Sequence, residues 1–328
     1  MCFTITSIQA QHIQFNDIHF KTLLVNDPLI NTNGDGEIQK FEAGSYTGSL
    51  VLNNAGIYDL EGIQHFKEVK HLNISNNVLV EVDLSANTKL ERLICRNNLL
   101  TSLDVNVLSE LKVLDCSNNQ ISQLDVMNNY SLHTLRCADN DLEDLDVYNN
   151  LDLITLDCSR NMIQALDVSE NPSLQVLYCA DNGMHALNVA NSNNQLMSDK
   201  NIDFRNNNLN CIEVDNASFS NHNWTKSKDN NAYYSVDCSS FSSPSNASDG
   251  FELNVFPNPT TDNININLGS ILKDVDLEII SNTGAIVMKQ VYDEADFINL
   301  DLDLVPGMYM VNVKVGITKQ ETIKLIVQ

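Results

Sequence analysis

Between Leu93 and Leu187 the apolar residues return to the same phase every 21 positions. The phase is marked by Cys95, Cys116, Cys137, Cys158 and Cys179. Two residues before each cysteine lie Leu93, Leu114, Leu135, Leu156 and Leu177. Eight residues after come Leu103, Leu124, Leu145, Leu166 and Leu187, and ten after come Val105, Val126, Val147, Val168 and Val189. Leu111, Leu132, Leu153 and Leu174 follow at sixteen. One polar position keeps the same phase: Asn98, Asn119, Asn140, Asn161 and Asn182, three residues after each cysteine. Leu72, Ile74, Asn77, Leu79, Val82 and Leu84 form an earlier repeat. Ile202, Phe204, Asn207, Leu209, Ile212 and Val214 form a later one, displaced by about four residues inserted around Ser192–Ser198. A weaker first turn runs from Leu50–Leu52 through Ile57, Leu60, Ile63 and Phe66.

A fixed period of this length predicts a solenoid. Leu-x-Cys is a short strand with two residues pointing inward. Such strands stack in parallel about 4.8 Å apart and bury a continuous core. The turn after each strand has backbone groups without ladder partners, and an Asn side chain can both donate to and accept from them. Stacked cysteines can be read as metal or disulfide chemistry, or as small apolar filler. The filler reading is taken, because Ile74 and Phe204 hold the same slot and cannot be ligands. Nine residues after each anchor lie Asp83, Asp104, Asp125, Asp146, Asp167, Asn188 and Glu213. This row is either a cation-binding stripe or a set of turn residues accepting backbone N–H groups.

The repeat LxCxxNxLxxLDVxxNxxL, read from Leu135 to Leu153, resembles the 21-residue leucine-rich repeat of Bacteroidetes surface proteins. The fold expected is a leucine-rich repeat solenoid of about eight coils over residues 49–215.

A solenoid needs caps. Residues 11–48 supply the first: Phe15–Val25 predicts a short helix with Phe15, Ile18, Leu23 and Leu24 on one face. The following loop places Asn31, Asn33, Asp35, Gly36, Ile38 and Glu42 at positions 1, 3, 5, 6, 8 and 12. That is EF-hand spacing with Asn at position 1. It resembles the single EF-hand-like or dockerin-like loop that precedes such arrays. The resemblance implies a structural Ca2+ held by Asn31, Asn33, Asp35, Glu37, Gln39 and Glu42. The competing reading is a plain Asn/Gly turn. At the other end, residues 216–238, with Trp224 and Tyr233–Tyr234, resemble the C-terminal cap of these proteins. The resemblance implies a disulfide between Cys211 and Cys238.

The period then ends. Residues 239–251 are small and polar and read as a linker. Residues 252–328 hold about seven short alternating runs, predicting a small immunoglobulin-like antiparallel β-sandwich. Phe256-Pro-Asn-Pro-Thr260, Gly284, Gly307-Met-Tyr309-Met-Val311 and the closing Lys324–Gln328 resemble the type A C-terminal sorting domain of type IX secretion cargo. That implies handling by the type IX machinery and a secreted or outer-surface destination. An adhesive immunoglobulin-like domain is the alternative. Residues 1–10 read as the remnant of a signal peptide.

With 43 acidic and 19 basic residues, the net charge of −24 argues against nucleic acid as a partner. No apolar run is long enough to span a membrane. No metalloprotease, nucleophile-elbow, P-loop or dinucleotide motif occurs, so no catalytic residue is nominated. The outward strand positions vary while the inward ones do not. Arg96, Arg136, Tyr178 and Arg205 are nominated there for binding an extracellular protein or glycan. The expectation is a non-enzymatic binding or adhesion protein. The alternatives are a divalent-ion-binding matrix protein or an enzyme with an unrecognised carboxylate pair.

Overall fold

The computed structural model describes residues 12–238, 253–256, 258, 260–261, 263–281, 285–316 and 319–327. The signal-peptide remnant, the linker, Pro257, Pro259, Gly284 and Gln328 lie outside the described residues. The chain divides into two compact units, Met1–Asp237 and Cys238–Gln328.

In the first unit, the repeat produces one three-residue strand per coil. These are β1 (Ser49–Val51), β2 (His71–Asn73), β3 (Arg92–Ile94), β4 (Val113–Asp115), β5 (Thr134–Arg136) and β6 (Thr155–Asp157). A second wall forms later in the chain, from β7 (Ala165–Asp167), β9 (Ala186–Asn188), β11 (Cys211–Glu213) and β12 (Tyr233–Ser235). The main sheet continues through β8 (Val176–Tyr178) and β10 (Ile202–Asp203), giving eight parallel strands in the order β1-β2-β3-β4-β5-β6-β8-β10. Leu72, Leu93, Leu114, Leu135, Leu156 and Leu177 face each other in register. Ile202 stays in register with Leu177, so the insertion is absorbed outside the sheet, in a 3-10 turn at Asn194–Leu196. The second wall forms where the residue seven after the anchor is small and apolar, as Ala165, Ala186 and Cys211, and not where it is polar, as Glu81, Ser102, Gln123 and Asp144.

The five ladder cysteines are free and fully buried among the leucines. Burial pushes their thiols up, Cys116 to about 12, so they stay protonated and act as apolar filler. The asparagine row does what its position predicts. Asn140 Nδ2 donates to Cys116 O at 3.0 Å and to Cys137 O at 3.1 Å, and its Oδ1 accepts from Ile121 N at 3.0 Å. Asn98, Asn119, Asn161 and Asn182 repeat the arrangement.

Two further polar rows support the turns. Asn76, Asn97, Asn118, Asp139, Arg160, Asp181 and Asn206 all have positive φ, which Asn and Asp tolerate best. Asn87, Asn129, Asn150 and Asn171 form a second buried ladder thirteen residues after the anchor. The row of acidic residues is turn chemistry. Asp83, Asp104, Asp125, Asp146 and Asp167 each accept the N–H two residues on, as Asn188 also does.

The N-terminal cap corrects one expectation. The helix, α1, spans Ile18–Val25 and buries Phe20 and Leu24. Ile18 is 65% exposed and Leu23 38%, so they do not share the buried face. The cause is the start point. Asp17 caps the helix by accepting from His19 and Phe20 N–H, and its other oxygen accepts Tyr58 N–H at 2.7 Å. That buried carboxylate fixes the helix phase and ties the cap to the first coil. At the far end, α3 (Ala217–Asn223) carries the chain to Trp224, which is fully buried.

In the second unit, the alternating runs merge into five antiparallel strands. These are β13 (Asn254–Phe256), β14 (Asn263–Ser281), β15 (Ile286–Asp301), β16 (Gly307–Val315) and β17 (Lys319–Val327). The buried apolar positions of β14 are Ile264, Ile266 and Leu268, then Val275, Leu277 and Ile279. The switch from even to odd coincides with a register shift between Asn267 and Leu272, which explains why one strand reads as two. The two motifs of this unit are structural anchors. Asn258 donates to Lys324 O and accepts from Ile326 N–H, pinning the turn to the last strand. Tyr309 is buried and its hydroxyl donates to Val305 O at 2.8 Å.

Candidate ligand groove

The outward face of the main sheet is built by the first and third residues of each strand and the residue after the cysteine. Leu in the middle of every strand points into the core, which forces its two neighbours outward. Several outward side chains are committed to the fold. Asn73, Asp115, Asp157 and Asp203 each accept the N–H two residues on, from Ser75, Ser117, Ser159 and Arg205. Ile94, Arg136 and Tyr178 fill the alternate coils and carry no such turn bond.

Over β1–β5 this face holds a groove of ≈ 430 Å³. Arg92, Arg96 and Arg136 line it, with His71, Ser49 and Asn73 at one end and Asp115 and Ile94 between. The arginines nominated from the sequence therefore divide. Arg96 and Arg136 share the groove; Tyr178 and Arg205 lie outside its lining. Tyr178 donates its hydroxyl to Lys200 O at 3.1 Å. Arg205 is held in a two-pronged pair with Asp203, at 2.8 and 2.6 Å. Burial pushes the Asp203 carboxyl up, but the Arg205 guanidinium outweighs this and holds it below its ordinary value.

Sequence reasoning misses Arg92 and His71. It begins the strand at the inward Leu, whereas the strand starts one residue earlier, so a third outward column goes unread. The pairing His71↔Arg92 places that column beside the others.

The loop 31–42 keeps its nominated oxygens together but ties most of them internally. Asn31 Oδ1 accepts Gly34 N–H, Asn33 Oδ1 accepts Asp35 N–H, and Asp35 Oδ1 accepts Glu37 N–H. Gln39 Nε2 donates to Asp35 Oδ2 at 2.8 Å. Glu42 accepts from Thr32, Asn33 and Gln39 N–H and starts α2 (Lys40–Ser45) with a capping box. Burial pushes the Glu42 carboxyl up, yet these donors hold it below its usual value. The Glu37 carboxylate is turned to Lys21 at 2.7 Å. Among the described residues no group of three or more His, Cys, Asp or Glu converges on one point. The remaining donor set is oxygen-only, with Asp35 and Glu42 as its carboxylates, and suits a hard cation.

Cys211 and Cys238 are both disulfide-bonded, unlike the ladder cysteines.

Residues 254–328 match the family described as the secretion system C-terminal sorting domain. The tail is a secretion sorting domain. A tail of this family marks the chain as secreted or carried at the outer cell surface. Residues 35–150 match a second family, described as the endo-beta-N-acetylglucosaminidase EndoS LRR domain, so the coils are leucine-rich repeats. Among solved structures, a functional domain of InlJ from Listeria monocytogenes, which includes a cysteine ladder, is similar at 27% identity and TM-score 0.47. That match covers 62% of this chain and 53% of InlJ's, so the chain spans about half of that relative. The internalin InlF from Listeria monocytogenes is similar at 15% identity and TM-score 0.45, over 70% of this chain and 81% of its own. A Leptospira interrogans leucine-rich repeat protein follows at 20% identity and TM-score 0.37, over 46% and 44%. No curated protein matches the chain. No helix among the described residues is long and apolar enough to cross a membrane.

Proposed function

We propose that the protein is a non-enzymatic binding protein of the cell exterior. It holds a protein or glycan on the outward face of its main sheet. The observation that carries this reading is the groove. It gathers Arg92 and Arg136, which have no ion-pair partner among the described residues, beside Asn73 and Asp115, whose oxygens are spent on turns. The acidic row, which would favour an ion-binding matrix, is accounted for by its turn bonds. The second family match is to the repeat domain of an endoglycosidase.

The test is binding of the full chain to arrays of extracellular proteins and surface glycans. Arg96→Ala combined with Arg136→Ala is expected to abolish the specific signals. Lys89→Ala, an exposed residue paired with Glu110, is expected to keep them. Signals that survive the double substitution would refute the reading.

Calcium at the loop 31–42 completes it as a cap-stabilising ion. Asn31, Asn33, Asp35, Gln39 and Glu42 would offer side-chain oxygens, and Glu37 its carbonyl. Calcium at about 100 times its dissociation constant stabilises a native state by about 2.7 kcal/mol. Thermal unfolding of the wild type is therefore expected to shift upward by several degrees in calcium relative to chelator. Asp35→Asn should remove most of that shift. Equal melting in both buffers would rule the ion out.

A further inference from the structure

We propose that the groove over β1–β5 receives an extended acidic peptide segment of a partner protein, clamped by Arg92, Arg96 and Arg136. This deepens the binding reading above and rests on it. The chain has five arginines, and three of them line this groove. The other two are locked in two-pronged pairs, Arg160 with Asp139 and Arg205 with Asp203. In the groove the pattern reverses. Arg92 and Arg136 have no ion-pair partner among the described residues, and Arg96 reaches Asp115 only at 3.9 Å. In a chain with 43 acidic against 19 basic residues, carboxylates are plentiful. Guanidinium groups left unpaired in such a chain are available to an outside acceptor. Arginine meets a carboxylate with two parallel N–H···O bonds, which gives both energy and direction.

The occupant's form follows from the spacing and the lining. Arg96 and Arg136 sit two coils apart, which is about 10 Å at the usual spacing of stacked strands. The two also differ by two positions along the strand, so the full span is about 12 Å, which extended chain covers in about four residues, returning the side chain to the same face. Carboxylates on a peptide running along the solenoid axis therefore meet successive arginines. Val51, 63% exposed, and Ile94 offer an apolar contact beside them. Among the described residues no Phe, Tyr or Trp lines the groove, so they give it no flat face on which a sugar ring stacks.

The experiment uses the full chain and a fluorescein-labelled octapeptide of alternating Glu and Val, read by fluorescence anisotropy. A Gln–Val octapeptide, an oligogalacturonate and a heparin oligosaccharide form separate arms. The acidic peptide is expected to bind, more weakly as salt rises, and the Gln peptide is not. Arg92→Ala with Arg136→Ala should weaken binding about a hundredfold, about tenfold for each guanidinium–carboxylate pair removed. Arg92→Lys with Arg136→Lys should keep an intermediate affinity, and Lys89→Ala the full one. Binding of both octapeptides alike, or binding indifferent to the alanine pair, overturns the proposal. So does binding of the anionic oligosaccharides alone, which would make the occupant a glycan. If the acidic peptide fails while array binding still requires Arg96 and Arg136, the peptide assignment falls and the binding reading stands. If array binding ignores those residues, the binding reading falls with it.

Discussion

Trp224→Ala is expected to destabilise the C-terminal end of the solenoid by about 3–5 kcal/mol, the usual cost of emptying a large buried aromatic site. Trp224 is fully buried and forms the centre of the cap. It meets Phe204, Phe219 and Tyr234 edge-on, with ring centroids 6.1, 6.2 and 5.7 Å away. Its indole N–H donates to Met197 O at 3.0 Å, and its own carbonyl accepts the Tyr234 hydroxyl at 3.1 Å. The substitution removes the ring packing and leaves Met197 O without its donor. A solenoid is stabilised coil by coil, so the damage should stay near the end. Hydrogen exchange should accelerate first in β10, β11 and β12 and leave β3–β6 protected. Trp224→Phe keeps most of the packing and should cost much less. Uniform loss of protection along the whole array would show that the cap and the coils do not unfold as neighbours.

The repeat was legible because each coil meets only its neighbours, so the same residue type must return at the same position. Cys95 to Cys179 and Asn98 to Asn182 announce this directly. What escaped was set by contacts across different parts of the chain. Asp17 reads as an ordinary polar residue before a helix; only the structure brings Tyr58 to its second oxygen. Arg92 belongs to a column that becomes outward only when the strand's true first residue is known. The parity switch in β14 depends on a bulge that an alternating pattern does not reveal. The positive-φ row was within reach, since Asn or Asp fills it at Asn76, Asn97, Asn118, Asp139, Asp181 and Asn206. The groove's arginines were half legible. Sequence position placed Arg96 and Arg136 outward, but only the fold distinguishes them from Arg160 and Arg205, which are held in two-pronged pairs.

The two buried asparagine ladders look alike in sequence and should respond unequally to the same change. Asn140→Leu is expected to cost about 3 kcal/mol. The buried N–H of Ile121 has Asn140 Oδ1 as its acceptor, and leaving such a donor unmet costs about 1–3 kcal/mol by itself. The bonds to Cys116 O and Cys137 O disappear in addition, although Asn119 and Asn161 still reach those carbonyls. Asn150→Leu is expected to cost about 1 kcal/mol or less. Asn150 Oδ1 is buried with no hydrogen-bond partner among the described residues, as are the equivalent oxygens of Asn87, Asn129 and Asn171. Replacing it removes a desolvation penalty. The acceptors of its amide, Val126 O and Asn129 O, each keep a backbone donor, from Asn129 and Leu132 N–H. The chain already tolerates the exchange, because Leu108 fills this slot one coil earlier than Asn129 and is fully buried. Urea unfolding of the two variants side by side decides the point. Equal losses would mean that the Asn150 oxygen has a partner in solution, such as a water inside the solenoid, and that both ladders hold the turns in the same way.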